Sequence, residues 1–347
     1  MSLGRLSFSF HNVLTQWMWS PFTIGMAALL VGLGYWYLRA DWLLAARGRR
    51  WPGGRTAFFL GGLFAVELAI GSPVASFTNY YFEAHIVQHL LLMAAAPALL
   101  ALGAPSTLLL QTVSRKNKSR WLKVLNSGPF AVLTHPLSVW ILYFGFMFAF
   151  FLTPLINTAM LHMPLMDVLN LVFLLGGCLY WWPMVGKDPV VRWKIGYGAN
   201  LANMLLGGAV ETFLGVVILM QHNPIGSMYT LASTHAGGGL LWVSTELVTV
   251  GGCIPIVLAW MRSDQRAAAR ADRLADARAV ADARAEVGSN GARAGVGEAR
   301  PAAGPAFQVA GADAAMTTWE SAWLARTGSV PSTRAQRVPP ALDTEPR

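Results

Sequence analysis

The sequence predicts an all-α fold, a polytopic membrane bundle of seven transmembrane helices with the N-terminus outside and the C-terminus inside. Of its 347 residues, 54% are hydrophobic and only 12% are charged, whereas about 25% of residues in a soluble domain are charged. The part of the chain up to Met261 contains nearly uncharged stretches of about 20 residues, enough to cross a ~30 Å hydrocarbon layer. Its Lys and Arg residues cluster in every second loop.

Seven apolar windows follow one another, and each is expected to be helical because lipid offers the backbone no hydrogen-bond partner. They are about Pro21–Leu38, Ala57–Ala75, Ala84–Leu110, Pro136–Thr153, Leu165–Gly186, Ala199–Met220 and Ala236–Trp260.

The basic residues predict how these windows are oriented. Lys and Arg follow the first, third, fifth and seventh windows, whereas the loops Ser76–Glu83, Pro154–Pro164 and Gln221–His235 contain none. Because basic loops stay on the cytoplasmic side, the N-terminus is expected outside, and only Arg5 lies on the wrong side. This clustering accounts for the pI of about 9.9 without nucleic acid as a partner.

The composition divides the chain into three parts. Residues 1–20 form an interfacial segment with Trp17 and Trp19, residues 21–261 form the seven-helix domain, and residues 262–347 form a cytoplasmic Ala/Arg-rich tail, largely disordered. Alternating charges in residues 263–286 suit either a solvated helix or a disordered segment. Met316–Arg326 is amphipathic and is expected to dock, for example on a membrane surface.

Two histidines stand out near the predicted outer boundary. His85 and His89 are four residues apart, so they share a helix face with side chains about 5–6 Å apart. This spacing suits two imidazoles on one metal ion, and it equally suits a pair that holds neighbouring helices by hydrogen bonds. His162 and His235 fall near the same boundary.

Carboxylates within the windows point to the same region. Glu67, Glu211 and Glu246 lie in the second, sixth and seventh windows, roughly 12–15 Å from the outer end at 1.5 Å per residue, and Asp167 begins the fifth. Ionisable groups at that depth usually face the bundle interior and mark a site. No Lys or Arg lies in a window to pair with them, so protons or a metal cation must compensate the charge. A hydrogen-bonded structural cluster is the alternative.

Methionines give a weaker indication of metal chemistry at the outer rim. Thioethers suit Cu(I), and imidazoles suit copper, iron and zinc, although most methionines in an apolar chain serve packing. The rim methionines are Met160, Met163, Met166, Met220 and Met228.

Several function classes lack the residues they need. No window contains the lysine of a retinal Schiff base. His135 is the only histidine on the predicted inner side, whereas a transmembrane di-haem cytochrome needs further histidine ligands there. Phosphate-loop, serine-hydrolase and zinc-protease motifs are absent as well. The chain is therefore not expected to be an enzyme.

The third window carries a specific motif. The run FEAHIVQHLLLMAAAPALLALGAP (Phe82–Pro105) resembles the signature of the CtaG family of cytochrome c oxidase assembly factors. The similarity extends to RTAFFLGG (Arg55–Gly62), FLLGGCLYWWPMVGKDP (Phe173–Pro189) and GGGLLWVSTE (Gly237–Glu246). It covers nearly the whole body of the chain.

This resemblance implies a multi-pass protein of the bacterial plasma membrane that helps to build haem–copper oxidase and helps copper to reach it. Oxidase subunits and membrane lipid are the implied partners. The resemblance also implies that His85 and His89 are ligands and that Glu246 is an acidic position of the family. The chain departs from the family where Met166, Asn170, Val172 and Glu211 replace histidines.

The expected site is thus a copper site in a cavity open to the outer side. His85 and His89 are its expected ligands, and Glu211 and Glu246 are charge partners in the same cavity. The other candidate ligands are His162, Met166, Asp167 and His235. A copper or cation permease and a metal-free scaffold for oxidase assembly are the alternative functions.

Overall fold

The computed structural model describes residues 15–185 and 196–295, and within these ranges it is all-helical without a strand. The α-helices are Pro21–Ala46, Gly53–Ile70, Pro73–Phe77, Phe82–Leu90, Ala96–Leu102, Pro105–Thr112, Arg115–Leu125, Gly128–Leu133, Pro136–Trp140, Phe146–Leu152, Leu155–Leu161, Met163–Val185, Tyr197–Leu219 and Leu231–Gly295. Two short π-helical stretches, Leu91–Ala95 and Ile141–Gly145, complete the third and fourth spans. The all-α prediction is confirmed.

Six helices in the described residues are long and apolar enough to cross a membrane. They are Pro21–Ala46, Gly53–Phe77, Phe82–Thr112, Met163–Val185, Tyr197–Leu219 and the helix that begins at Leu231. A seventh span arises if the pair Pro136–Leu152 and Leu155–Leu161, bent by 74°, is counted as one. We number the spans in chain order with this bent pair as the fourth. Their orientation stays a prediction.

The bend in the fourth span lies at Thr153–Pro154. Proline disfavours helical backbone at the residue before it, and Thr153 is extended with φ −121° and ψ 171°. The chain then starts the helix Leu155–Leu161 in a new direction. This short helix carries Met160 back over the end of the bundle where the third span begins.

The third span lies at the centre and packs against the second and fifth spans. A glycine makes the contact with the fifth span possible. A Cβ atom on Gly177 would lie 2.7 Å from both the Met93 carbonyl oxygen and Pro97 Cγ, closer than real contacts allow. The two helices therefore approach at a distance that only glycine permits.

The third span also meets the seventh at its first residues. The backbone N–H of Phe82 donates to Ser233 Oγ at 2.8 Å, and Gly237 packs directly against the Phe82 ring. Gly238 in turn lies against the sixth span, where an added Cβ would be 2.7 Å from the Leu219 backbone nitrogen. These close contacts bring the third, sixth and seventh spans together around one end of the bundle.

The chain divides into two compact units, residues 1–272 and 273–347. In the second unit the described residues continue the helix Leu231–Gly295, and the side chains of residues 273–286 are exposed. This agrees with the solvated helix among the two alternatives for residues 263–286. The predicted docking segment Met316–Arg326 lies outside the described residues, as do residues 1–14, whereas Trp17 and Trp19 are exposed.

Candidate functional site

The histidine pair lies on the inward face of the third span. His85 and His89 are one helical turn apart in Phe82–Leu90, and their ring centroids are 4.6 Å apart. Only 1% of His85 and 4% of His89 is exposed. Burying two imidazoles this completely is costly unless their nitrogens find partners.

Phenylalanine rings form most of the wall around the pair. The His89 ring lies 4.1 Å from the Phe173 ring, 5.1 Å from Phe151 and 5.2 Å from Phe150, measured between centroids. Phe82 and Phe150 stack on His85 at 6.2 and 5.7 Å. An aromatic wall excludes water and offers no hydrogen-bond acceptor in the ring plane.

One hydrogen bond fixes the proton on His85. The Tyr229 hydroxyl donates to the Thr78 carbonyl oxygen at 2.6 Å and lies 3.1 Å from His85 Nδ1. A carbonyl oxygen can only accept and a hydroxyl has one proton, so His85 Nδ1–H is the donor to the Tyr229 oxygen. In the neutral ring, Nε2 then carries a free lone pair.

The Tyr229 hydroxyl keeps its proton because burial raises its pKa well above the usual value, and the nearby Glu83 raises it further. Because this protonated hydroxyl donates to Thr78, the hydrogen bond between His85 and Tyr229 must use a proton on His85 Nδ1. Among the described residues, His85 Nε2 and both nitrogens of His89 have no hydrogen-bond partner. Two imidazoles with free nitrogens side by side can bind a cation, and a hydrogen bond from the other ring nitrogen orients a metal-binding histidine.

A cavity of about 30 Å³ lies on the His85 side of the pair, and we call it the methionine cavity. Thioethers of the segment before the first span, of the bent fourth span and of the fifth span line it. Its principal lining residues are Met18, Met160, Met163, Met166, His85, Asp167 and Asn170. Asn170 is 4% exposed, and its Oδ1 has no partner among the described residues.

A second cavity, of about 20 Å³, lies on the His89 side between the two π-helical stretches. We call it the glutamate cavity, since Glu211 and Tyr143 are its polar lining residues besides His89. Glu211 accepts hydrogen bonds from the Tyr143 hydroxyl at 3.1 Å and from the Thr245 hydroxyl at 3.3 Å. Both oxygens of this carboxylate therefore have partners within the protein.

Three predicted site residues lie outside both cavities. Glu246 is exposed and accepts a hydrogen bond from Thr212 at 3.0 Å, because the face of the seventh span that packs inward carries Thr245 instead. The exposed His162 donates to the Thr158 carbonyl oxygen at 3.0 Å. His235 donates to the Gln221 carbonyl oxygen at 2.9 Å. The expectation that Glu246 shares the cavity with Glu211 is therefore corrected.

Three of the four positions where the chain departs from the CtaG pattern face the histidine pair. Met166 and Asn170 line the methionine cavity, and Glu211 lines the glutamate cavity. Val172 points away from the bundle interior and is 39% exposed, because it lies off the face shared by Met166, Asn170 and Phe173. Sequence reasoning missed Tyr229 and Met18, which carry no motif, and undervalued Asn170.

A metal ion at this site would have to be held by the histidines and their neighbours. Within the described ranges, no three His, Cys, Asp or Glu side chains converge on one point. The ligands near the pair are therefore the free imidazole nitrogens, the Asn170 oxygen and the thioethers. Within this set, the imidazole nitrogens and thioether sulfurs are ligands that suit copper, whereas the amide oxygen suits a harder cation.

Proteins of known sequence resemble the chain over most of its length. Uncharacterized proteins of Mycobacterium bovis and Mycobacterium tuberculosis are each 29% identical to it over 283 residues, which is 76% of this chain and 42% of theirs. A Mycobacterium leprae protein is 29% identical over 272 residues, 73% of this chain and 41% of its own. The chain spans less than half the length of these curated relatives. No solved structure matches it.

The family comparison covers the helical body. The profile of the cytochrome c oxidase caa3 assembly factor family matches residues 35–263. This range includes the histidine pair, the glutamate cavity and the methionine cavity apart from Met18 and Thr23, and it reaches from the first span into the last helix. The chain belongs to the Caa3_CtaG family of cytochrome c oxidase caa3 assembly factors.

Proposed function

We propose that this protein assists the assembly of a haem–copper cytochrome c oxidase in a bacterial plasma membrane by binding copper at His85 and His89 and passing it to an oxidase subunit. Oxidase subunits and membrane lipid are its partners in this role. The protein makes and breaks no covalent bond, so it is not an enzyme. Copper is its cargo.

The observation that carries the proposal is the hydrogen bond between His85 Nδ1 and the Tyr229 oxygen, 3.1 Å long. It leaves His85 Nε2 free beside two free nitrogens of His89 in a buried, phenylalanine-walled site. A structural pair that served only to hold helices together would donate to and accept from those helices. Buried nitrogens without partners are costly, and a bound cation supplies the missing interaction.

The transfer role places a limit on affinity. Two imidazoles and few additional strong ligands hold an ion firmly enough to select it and weakly enough to release it to a site with more ligands. Both oxygens of Glu211 are already hydrogen-bonded, so this carboxyl group lines the cavity beside His89 without being a required ligand. The ion can therefore leave by exchange of a few bonds.

Metal analysis and X-ray absorption of the purified full chain test the proposal. After loading with Cu(I) and removal of excess metal, we expect the wild type to retain copper with imidazole scattering. The double variant His85→Ala, His89→Ala is expected to lose the imidazole signal and the corresponding equivalent of copper. His162→Ala, which alters an exposed histidine, is the control and should retain both.

Three outcomes would contradict the proposal. Wild-type protein without imidazole-bound copper would remove the copper-binding role. Oxidase assembly in cells that proceeds normally with the double variant would favour a metal-free scaffold. Uptake of copper into vesicles in proportion to the protein they contain would favour a permease.

A further inference from the structure

We propose that the methionine cavity is a second, thioether-lined Cu(I) site that loads the histidine pair. This inference rests on the proposed function, since it names the oxidation state of the cargo and the place where it enters. The thioethers belong to Met160, Met163 and Met166, with Met18 completing the wall. Of these four residues, only Met166 stands at a position where the family pattern has a histidine.

The ligand chemistry selects Cu(I). Thioether sulfur is a soft ligand that binds Cu(I) and discriminates against Zn²⁺, Mg²⁺ and Ca²⁺, which prefer nitrogen or oxygen. Three of the four sulfurs come from positions 160, 163 and 166, spaced three residues apart across the end of one helix and the first turn of the next. This spacing brings them to the same side of the junction.

Two further groups in the same cavity point to a cation. Asn170 Oδ1 is buried without a partner among the described residues, and a carbonyl oxygen is a group that a cation can satisfy. Asp167 adds a carboxylate to the cavity wall. A cavity filled by methionine packing alone would have no use for an unsatisfied amide oxygen or a carboxylate.

The geometry also provides a path to the histidine pair. His85 lines the methionine cavity, His89 lines the glutamate cavity, and the two rings are 4.6 Å apart. Met163 at the rim is 49% exposed whereas the pair is fully buried. An ion can thus pass from the exposed thioether to the partly buried thioethers of Met160 and Met166 and then to His85 by stepwise ligand exchange, without a change of oxidation state.

The test separates the two sites. In the variant His85→Ala, His89→Ala, we expect one equivalent of Cu(I) or of Ag(I), its redox-inert analogue, to remain with sulfur scattering in the absorption spectrum. Adding Met160→Leu, Met163→Leu and Met166→Leu should remove that equivalent. The matched control Met220→Leu, Met228→Leu changes exposed methionines outside the cavity and should leave it in place.

The reverse experiment uses wild-type histidines. The triple methionine variant should still bind one equivalent through imidazole, and it should load more slowly than the wild type at equal Cu(I) concentration. If the histidine-free variant binds no Ag(I), or binds it without sulfur scattering, the thioether site is overturned while the imidazole site stands. If copper remains sulfur-bound but imidazole scattering is absent in the wild type, the proposed function fails and the thioether site stands.

Discussion

The methionine cavity and the glutamate cavity lie on opposite sides of the same histidine pair, and they differ in how their polar groups are satisfied. In the glutamate cavity, both oxygens of Glu211 accept hydrogen bonds from hydroxyl groups. Asn170 and His85 line the methionine cavity, and Asn170 Oδ1 and His85 Nε2 have no partner among the described residues. The Glu211 carboxyl group has donors within the protein, whereas Asn170 and the histidine pair keep polar atoms without a partner among the described residues.

This difference changes how a buried acid in a membrane helix should be interpreted. A carboxylate at depth is costly in isolation, but two hydroxyl donors offset much of that cost and make Glu211 part of the packing between spans. The candidates for a binding role are instead His85, His89 and Asn170, which keep polar atoms without a partner among the described residues. At this site those side chains are uncharged.

Removing the acid gives the largest effect we expect and tests the structural role of Glu211. Glu211→Ala leaves the buried hydroxyls of Tyr143 and Thr245 without an acceptor, and each unpaired group costs about 1–3 kcal/mol. The free energy of unfolding should therefore fall by about 2–6 kcal/mol in a detergent denaturation experiment. Glu246→Ala, at the exposed carboxylate, should change it by less than about 0.5 kcal/mol. Equal effects of the two variants would contradict the assigned positions.

The Tyr229 hydroxyl, which orients the His85 ring, can be tested in the same way. Tyr229→Phe removes the acceptor for His85 Nδ1–H, so the ring loses its fixed orientation and tautomer. Loss of such an orienting partner typically weakens metal affinity about 10–100-fold, and we expect this loss in a Cu(I) competition assay. Tyr35→Phe, at an exposed tyrosine of the first span, is the control. An unchanged affinity would show that Tyr229 does not set the His85 tautomer.

The third span, which lines both cavities, is packed closely against the fifth span. Gly177→Ala places a Cβ against the Met93 carbonyl and Pro97, and overpacking of this kind, less the gain in helix propensity, costs about 1–2 kcal/mol. The neighbouring Gly176 has open space around it, so Gly176→Ala should be neutral or slightly stabilising. Thermal unfolding of the two variants side by side measures this difference, and a stabilised Gly177→Ala would exclude the close approach.

Much of the helical architecture is predictable from the sequence because hydrophobic length is a constraint that each span satisfies locally. The predicted windows coincide with six long helices and one bent pair. The break after Thr153 is also local, since Pro154 follows it. Residues 296–347 lie outside the described ranges, so the expected disorder of that part of the tail stays a prediction.

The site was predictable only where spacing along one helix decides which residues are neighbours. The four-residue spacing of His85 and His89 predicts adjacent rings on one face, and the rings are adjacent. The placement of Glu246 depends instead on the rotation of the seventh span about its axis, which Gly237 and Gly238 set by close packing. Tyr229 reaches His85 from a loop 144 positions away along the chain, and no periodicity reports such a contact.

The small volumes of the two cavities have a consequence for how the cargo must arrive. About 30 Å³ on one side and about 20 Å³ on the other give room for little more than one water molecule each, so an ion that still carries its hydration sphere cannot fit. Each bond to solvent or to a donor must be replaced in turn by a bond to a side chain. If copper is the cargo, as proposed, its delivery requires a donor that touches the rim around Met163, and dilute aqueous metal is a poor source.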